Sequence, residues 1–305
     1  MSAGAPDDAL VPFLFEGAAV RGALVRLPTA AATIVGAHPY PPSIARALSE
    51  LAAAAVLLIS TLKLDGSLLL QIAGDGPVRL AVVECSGGLD LRGTAQWDAA
   101  RVAAHGDHAM LADLAGGARG RMTITLDPKD AGTLYQGIVA LESGSVGGMI
   151  EHYLSTSEQL PSRLVVAARG GAAAGLLLQR LPSSGADDDA AWTRLVREFE
   201  AIAPNALLAG ARDIAALGAW FPDADIRVFD ARPVRARCSC SRERVENALR
   251  IAGRDEIEAA IAERGHVKVT CEFCGRRYEL APAEARAVFT RSPDAGTVPR
   301  SGKRT

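Results

Sequence analysis

The chain has 305 residues, of which 49% are hydrophobic and 22% are charged, so it can bury a core and is not an intrinsically disordered protein. Its 33 Lys and Arg residues nearly balance its 35 Asp and Glu residues, which argues against binding of nucleic acid or a membrane surface through overall charge. The length and the five Cys residues exclude a small disulfide-rich secreted scaffold. Four of these Cys lie in the last quarter of the chain, which indicates a metal-binding or redox-active site.

The N-terminal segment, residues 1–9, is small, acidic and polar, and it lacks the basic and apolar regions of a signal peptide. The longest uninterrupted apolar run, residues 51–59, is shorter than the roughly 20 residues that a membrane-spanning helix needs. We interpret this run as part of a buried helix. The sequence therefore predicts a cytoplasmic protein without a membrane anchor.

Residues 1–184 are predicted to form an N-terminal α+β body, arranged as an α/β sandwich. Pro41 and Pro42 mark the start of a helix, and the apolar pattern of residues 44–62 continues it. A second helix is predicted over residues 149–158. Runs rich in β-branched and other apolar residues predict strands at 67–73, 78–85, 122–126, 133–141, 163–168 and 175–181.

Residues 185–237 are predicted to form an amphipathic helical linker. A break in composition begins at Pro182, and the Asp run that follows is typical of a helix start. Apolar residues then recur at positions i, i+3, i+4, i+7 and i+10, which places them in one stripe: Trp192, Leu195, Val196, Phe199 and Ile202. Pro204 ends this helix. The segment has no core of its own, so we expect it to lie against another part of the chain.

Residues 238–290 are predicted to form a small zinc-binding domain. Two short helices are expected at 241–251 and 255–264, with Gly253 and Gly265 at their C-terminal ends. Strands are expected before Cys271 and around residues 278–280. The remaining residues, 291–305, are rich in Gly, Pro and Ser and are predicted to be a disordered tail.

The four clustered Cys residues occur as two close pairs, Cys238 with Cys240 and Cys271 with Cys274. Each short spacing lets two sulfurs converge on one ion, and four thiolates are what tetrahedral Zn²⁺ prefers. Gly275 permits the tight return that a zinc knuckle requires. The sequence therefore predicts one Zn²⁺ bound by all four Cys.

A zinc site of this kind is compatible with two roles. Zinc holds the sulfurs as thiolates, the form that oxidants attack, and six Arg residues lie close by in the sequence: Arg235, Arg237, Arg242, Arg244, Arg276 and Arg277. Oxidation within each pair could form two disulfides and expel the metal. On chemistry alone a purely structural site and a redox-active site remain equally open.

Seven short segments follow one another in an order that resembles a known family. Two are in the C-terminal domain: Cys-Ser-Cys-Ser-Arg-Glu-Arg at 238–244 and Cys-Glu-Phe-Cys-Gly-Arg-Arg-Tyr at 271–278. Five are in the body: Leu-Lys-Leu-Asp-Gly at 62–66, Gln-Ile-Ala-Gly-Asp-Gly-Pro at 71–77, Leu-Arg-Gly at 91–93, Tyr-Gln-Gly-Ile-Val at 135–139 and Tyr-Leu-Ser-Thr-Ser-Glu-Gln at 153–159. Together they resemble the 33-kilodalton redox-regulated heat-shock chaperones of bacteria over nearly the whole chain.

The resemblance implies a holdase, a chaperone that needs no ATP and is not an enzyme, and that is inactive while reduced and zinc-bound. It further implies that oxidation forms the disulfides Cys238–Cys240 and Cys271–Cys274, releases zinc and activates binding of unfolded or oxidatively damaged client proteins. A homodimer is implied for the active form. The linker stripe then fits client binding and ordinary helix packing equally well. One departure is residues 204–218, which are Ala-rich and lack the acidic-Leu-Leu pattern of relatives.

Two other functions compete with the chaperone. Residues 232–305 carry a net charge of +6 against −8 for the rest of the chain, which is compatible with a nucleic-acid-binding zinc knuckle, although few aromatic residues are present to stack on bases. A thiol–disulfide oxidoreductase would also use Cys-x-x-Cys, but that motif is expected next to a βαβ unit. Salt-dependent binding to nucleic acid or turnover of insulin disulfides would identify these alternatives.

Overall fold

The computed structural model describes residues 6–130, 133–141, 144–182, 186–211 and 213–290. The chain divides into two compact units, an N-terminal unit of Met1–Cys238 and a C-terminal unit of Ser239–Thr305. The predicted tail at 291–305 lies outside the described residues, as does part of the composition break that follows Pro182.

The N-terminal unit combines strands and helices, which confirms the predicted α+β class. Its strands are β1 (Ala9–Phe15), β2 (Val20–Leu27), β3 (Gly66–Ala73), β4 (Val78–Ser86), β5 (Asp90–Trp97), β6 (Arg121–Pro128), β7 (Tyr135–Ala140), β8 (Ser162–Arg169), β9 (Ala172–Arg180), β10 (Ile226–Val228), β11 (Arg232–Pro233) and β12 (Arg235–Ala236). Its helices are α1 (Ala30–Val35), α2 (Pro42–Thr61), α3 (Ala99–Ala103), α4 (Leu111–Leu114), α5 (Val146–Thr156), α6 (Ala186–Glu200), α7 (Pro204–Gly210) and α8 (Ala216–Trp220), with a 3₁₀ turn at Gly117–Arg119.

Two sheets organise this unit. The first has the strand order β10-β1-β2-β9-β8, all antiparallel, and β11 pairs with the start of β1. The second has the order β12-β5-β4-β3-β6-β7 and is antiparallel except where β12 runs parallel to β5. The short strands β10, β11 and β12 belong to the segment 185–237, so the predicted helical linker ends in extended chain.

Helix α2 lies between the two sheets. It begins at Pro42, where proline is favoured because the first helical residue needs no backbone donor, and it contacts β2, β8 and β9 on one side and β3, β4 and β5 on the other. Fourteen of its twenty residues are buried, which is typical of a core helix that is apolar on all sides. Among the described residues it is the one helix long and apolar enough to cross a membrane, but 72% of its apolar window is buried inside the fold.

The first sheet is covered on both faces. Its inner face packs against α2, and its outer face packs against α6, α7, α8 and the residues that follow them. We call the outer contact the outer cluster. Its sheet residues are Phe13, Phe15, Val20, Leu24, Ala167, Ala174, Leu176 and Leu178, and its linker residues are Leu195, Phe199, Ile202, Leu207, Ala211, Leu217 and Phe221.

The C-terminal unit is small. It comprises α9 (Arg242–Ala252), α10 (Arg254–Arg264), β13 (Val267–Thr270), β14 (Arg277–Leu280) and α11 (Pro282–Ala287). The first two helices and both strands agree with those predicted from the sequence, whereas α11 was not predicted. Strands β13 and β14 form an antiparallel hairpin. Its core is the C-terminal cluster of Val245, Leu249, Ile257, Val267, Leu280, Ala285 and Val288.

Candidate metal centre

The four clustered Cys residues predicted as ligands lie together. The sulfurs of Cys238, Cys240, Cys271 and Cys274 are all within 4.8 Å of one another, and all four residues are partly buried. The structure thus brings both Cys pairs to a single point.

The first pair is positioned by the start of α9. Ser241 caps this helix, because its Oγ accepts a hydrogen bond from the backbone nitrogen of Arg244 at 3.2 Å. The Arg244 guanidinium also donates to Oγ of Ser239 at 2.7 Å. Cys240 therefore directly precedes a capped helix N-terminus, where the aligned peptide dipoles favour a negatively charged sulfur.

The second pair is positioned by the turn of the β13–β14 hairpin. The backbone nitrogen of Gly275 donates to the carbonyl of Cys271 at 2.9 Å, and the nitrogen of Cys271 donates to the carbonyl of Arg276 at 2.9 Å. Gly275 has a φ of +68°, a left-handed conformation that glycine adopts without strain. A Cys-x-x-Cys turn within a hairpin is typical of a zinc knuckle. An oxidoreductase Cys-x-x-Cys would be expected next to a βαβ unit, whereas this turn joins the two antiparallel strands β13 and β14.

Tyr278 is a neighbour of the sulfurs that the sequence analysis did not single out. Its hydroxyl donates a hydrogen bond to Sγ of Cys240 at 3.2 Å, and Sγ of Cys240 lies 3.4 Å from Sγ of Cys274. The hydrogen bond to Cys240, more than burial, raises the pKa of Tyr278. A signal was available, because Tyr278 follows Cys274 by four residues on a strand that returns from the turn.

The Arg residues near the Cys pairs in sequence do not all act on the sulfurs. Arg235 and Arg237 form ion pairs with Asp90 at 3.9 and 3.6 Å. Arg276 does lie near the cluster: a hydrogen bond with Tyr278 and attraction to the same side chain raise its pKa, and attraction to the sulfurs of Cys240 and Cys274 adds to the shift. Its positive charge favours the thiolate forms of those Cys.

The donor set fits a tetrahedral thiolate-binding metal. With metal–sulfur bonds of about 2.3 Å, the sulfurs of a tetrahedral zinc site are about 3.8 Å apart. The upper limit of 4.8 Å and the Cys240–Cys274 separation of 3.4 Å bracket that value. Soft thiolates select zinc or iron–sulfur chemistry over hard cations such as Mg²⁺ and Ca²⁺. The cluster can hold one metal ion.

The predicted linker stripe has a mixed outcome. Leu195, Phe199 and Ile202 are buried in the outer cluster and Trp192 packs against it, whereas Val196 is only partly buried and is not among its members. The pattern predicted that Ile202 belongs to the helix. This was wrong, because helix α6 ends at Glu200. Ile202 lies in the turn that follows, where its backbone nitrogen donates to the carbonyl of Phe199 at 3.0 Å.

Polar contacts at the margins of the outer cluster also join the linker to the sheet. Asp188 Oδ1 accepts from the backbone nitrogen of Ala19 at 3.1 Å. Arg169 donates to Oδ1 of Asn205 at 2.7 Å, and Arg180 forms an ion pair with Asp189. These contacts are largely exposed, so apolar burial dominates the docking of the linker.

Cys85, the fifth Cys, is separate from the cluster. It lies on β4 and is fully buried in the apolar cluster around α2 between the two sheets, which we call the main core. Burial raises the pKa of its thiol well above the usual range. A thiol held protonated in an apolar core is a poor nucleophile. The sequence-based interpretation of Cys85 as a core residue agrees with this position.

Comparisons with known proteins agree with this architecture. The family described as "Hsp33 protein" matches residues 8–281. A 33 kDa chaperonin of Chromobacterium violaceum is 42% identical over 92% of this chain and 94% of its own length, and one of Shewanella sediminis is 39% identical over 94% and 98%. The crystal structure of a 33 kDa chaperonin from Thermotoga maritima superposes with a TM-score of 0.74 at 20% identity, covering 93% of this chain and 98% of that one. The chain belongs to the Hsp33 family.

Proposed function

We propose that this chain is a redox-regulated holdase that needs no ATP and catalyses no reaction. It is zinc-bound and inactive while its four clustered Cys are reduced, and it binds unfolded or oxidatively damaged proteins once these Cys form two disulfides. One observation carries the proposal: in a chain of the Hsp33 family, all four sulfurs lie within 4.8 Å of one another.

In the reduced state the four sulfurs hold zinc, which supplies a positive charge that keeps them as thiolates. The residues around them support the same state. The α9 N-terminus favours a negative charge on Cys240, and the positive charge of Arg276 faces Cys240 and Cys274. A cytoplasmic location, where thiols are kept reduced, makes this the resting form.

Each peroxide molecule takes up two electrons, and these come from the two sulfurs that end as one disulfide. One thiolate attacks the O–O bond, taking one oxygen as sulfenic acid and releasing the other as hydroxide or alkoxide. A second thiolate then attacks the sulfenic sulfur, forms the disulfide and releases hydroxide. We propose the pairs Cys238–Cys240 and Cys271–Cys274. Since every sulfur lies within 4.8 Å of the others, none has to move far to find a partner.

Loss of the thiolates removes the metal, and we propose that the switch domain, residues 238–290, then unfolds. The C-terminal cluster has seven buried residues, which is little apolar core to hold the domain without a metal. Cys238 directly follows the linker, which we place at residues 185–237. The change at the sulfurs is therefore transmitted through the chain to a segment whose docking depends on the body, residues 1–184.

The linker covers the surface that we propose for client binding. Its removal from the sheet exposes both halves of the outer cluster, including Phe13, Phe15 and Phe221, whose rings pack edge to face at 5.5 and 5.2 Å. A large exposed apolar surface is the feature that binds unfolded chains. We propose that the stripe Trp192, Leu195, Val196, Phe199 and Ile202 contributes to this surface. A homodimer of the activated form would double it.

The test compares reduced and peroxide-treated protein. Guanidine-unfolded luciferase is diluted into each, and light scattering measures aggregation, while zinc release and free thiols are counted in parallel. We expect the reduced protein to hold one zinc and leave aggregation unchanged. We expect the oxidised protein to have lost zinc and four thiols, to sediment as a dimer and to suppress aggregation.

A matched control separates the clustered Cys from Cys85. Cys85→Ala is expected to switch like the wild type, whereas Cys271→Ser is expected not to bind zinc stably. Peptide mapping of the oxidised protein should find the two proposed disulfides. Equal suppression of aggregation by the reduced and the oxidised protein would overturn the proposed function, and salt-dependent RNA binding or insulin reduction would replace it with one of the alternatives.

A further inference from the structure

The hydroxyl of Tyr278 contacts one sulfur of the metal centre. Tyr278 lies on β14 opposite Val269 of β13, and its partly buried ring packs against the C-terminal cluster. The hydroxyl oxygen is 3.2 Å from Sγ of Cys240, to which it donates. The ring is held by the hairpin and the cluster, so the hydroxyl is aimed at the sulfur by the fold.

A donor at this position changes what the Cys240 sulfur can do. A thiolate reacts with an oxidant through a lone pair, and a hydrogen bond to an ionised acceptor is both stronger and shorter than one between neutral groups. The bond to Tyr278 therefore stabilises the charge on Cys240 and lowers the reactivity of its lone pairs. Sγ of Cys274, at 3.4 Å, approaches the same sulfur.

We propose that Tyr278 is a positioning residue that raises the oxidant threshold of the switch by protecting Cys240. The proposal rests on the proposed function and adds a residue beyond the four Cys. While the hydrogen bond is present, the Cys240 thiolate attacks peroxide slowly. When the hydrogen bond is absent, formation of a sulfenic acid at Cys240, and the disulfide that follows, is faster.

The substitution Tyr278→Phe isolates the hydroxyl, since the ring that packs against the C-terminal cluster is retained. Tyr135→Phe is the matched control, because it removes the same atom from a half-exposed tyrosine of the N-terminal unit. Both variants are prepared reduced and zinc-loaded. Equal zinc content and equal thermal melting of the two show that Tyr278→Phe has not disturbed the fold.

Two measurements decide the proposal. With limiting peroxide, we expect zinc release from Tyr278→Phe to be about three- to tenfold faster than from the wild type or Tyr135→Phe, as loss of one charge-assisted hydrogen bond predicts. Differential alkylation and mass spectrometry should place the gain at Cys240. In Co²⁺-loaded protein, the sulfur-to-metal charge-transfer band should move to lower energy in Tyr278→Phe, because the thiolate is no longer stabilised.

Equal rates at Cys240 and an unmoved cobalt band in Tyr278→Phe would overturn the role of Tyr278. The cobalt band needs no oxidant, so it tests the hydrogen bond without reference to the switch. If the wild type keeps its zinc under peroxide while the band moves in Tyr278→Phe, the proposed function fails and the hydrogen bond stands. A purely structural role would change melting or zinc content without changing the band.

Discussion

The two units of the chain are built on cores of very different size. In the N-terminal unit, α2 lies between two sheets and fourteen of its residues are buried. In the C-terminal unit, residues 239–290 share seven buried apolar residues. A domain this small gains little stability from its core alone, so apolar burial suffices for the first unit, whereas we propose that a bound metal completes the second. On this proposal a single chain combines a permanent fold with a conditional one.

The largest expected effect is that loss of zinc unfolds the C-terminal unit and leaves the N-terminal unit folded. Removal of zinc by a chelator with a thiol-modifying agent removes about 10–16 kcal/mol of apparent binding free energy, and Cys274→Ser, which takes away one of the four ligands, acts in the same direction. We expect the amide signals of the C-terminal unit to collapse to unfolded positions in NMR spectra while those of β3, β4 and β5 keep their dispersion. Cys85→Ala should leave both sets dispersed. An unchanged spectrum after zinc removal would contradict the conditional fold.

The second effect is a loosening of the outer cluster that leaves the main core of the N-terminal unit intact. Phe199→Ala deletes a buried ring of the linker and is expected to weaken its docking by about 3–5 kcal/mol. The reduced variant should then bind an apolar dye and be cleaved by protease within α6. Val196→Ala, on the same helix but outside the outer cluster, is the control and should change neither signal. Equal behaviour of the two variants would show that the stripe does not hold the linker.

The third effect is a pH dependence confined to the N-terminal unit. Burial raises the pKa of Glu50 to about 7, against the opposing attraction of Arg46. The folded state thus keeps a proton that the unfolded state has lost, and stability falls as pH rises from about 4.5 to 7 and stays lower above it. We expect a loss of about 3 kcal/mol over this range, since one pKa unit corresponds to 1.36 kcal/mol. Denaturation of Glu50→Gln should lose most of this dependence; burial also raises the pKa of Glu151, which leaves a remainder of the same sign.

A control for the pH dependence is Glu16→Gln, which removes a half-exposed carboxylate from the same unit. Its denaturation midpoint should follow the wild-type dependence on pH. If Glu50→Gln and the wild type lost stability in parallel between pH 5 and 8, Glu50 would not be the responsible group.

The smallest expected effect is the change in stability caused by a substitution on the surface of the C-terminal unit. Ile251 on α9 is 87% exposed, so Ile251→Ala should change the stability of the zinc-bound unit by no more than about 0.5 kcal/mol. Leu249, two residues earlier, is buried, and Leu249→Ala should cost about 2 kcal/mol or more. Thermal melting of both variants at saturating zinc compares them. Equal losses would mean that the exposed side of α9 is covered in solution.

The features that could be predicted from the sequence were those marked by closely spaced reactive residues or by a regular apolar pattern. The two Cys pairs predicted the metal centre because thiolates at these spacings have few other uses. Helix α2 and the strands β3, β4, β6, β7, β8 and β9 followed from their apolar patterns. In contrast, no strand was predicted at β1, β2 or β5. At β1 and β2 the reason is that the first sheet is covered on both faces, so the alternation of buried and exposed residues is lost.

Other features depend on contacts between distant residues and could not be derived from local pattern. The strands β10, β11 and β12 are only two or three residues long and exist because β1 and β5 offer them pairing partners. The spacing of Ile202 matched a helix that ends at Glu200, since apolar periodicity does not fix a helix end. The contact between Tyr278 and Cys240 joins residues 38 apart in the chain.

The pairing of β12 with β5 determines whether a released linker stays attached to the body at both ends. Val234 is buried in the main core, and Arg235 and Ala236 pair with Asp90 and Leu91. The other end of the linker follows β9, which lies between β2 and β8 in the first sheet. If α6, α7 and α8 leave the sheet while β12 stays paired, residues 185–233 form a closed loop and not a free tail. Closing such a loop again costs little extra entropy, so in the proposed mechanism the linker can return to its sheet as soon as the client is gone.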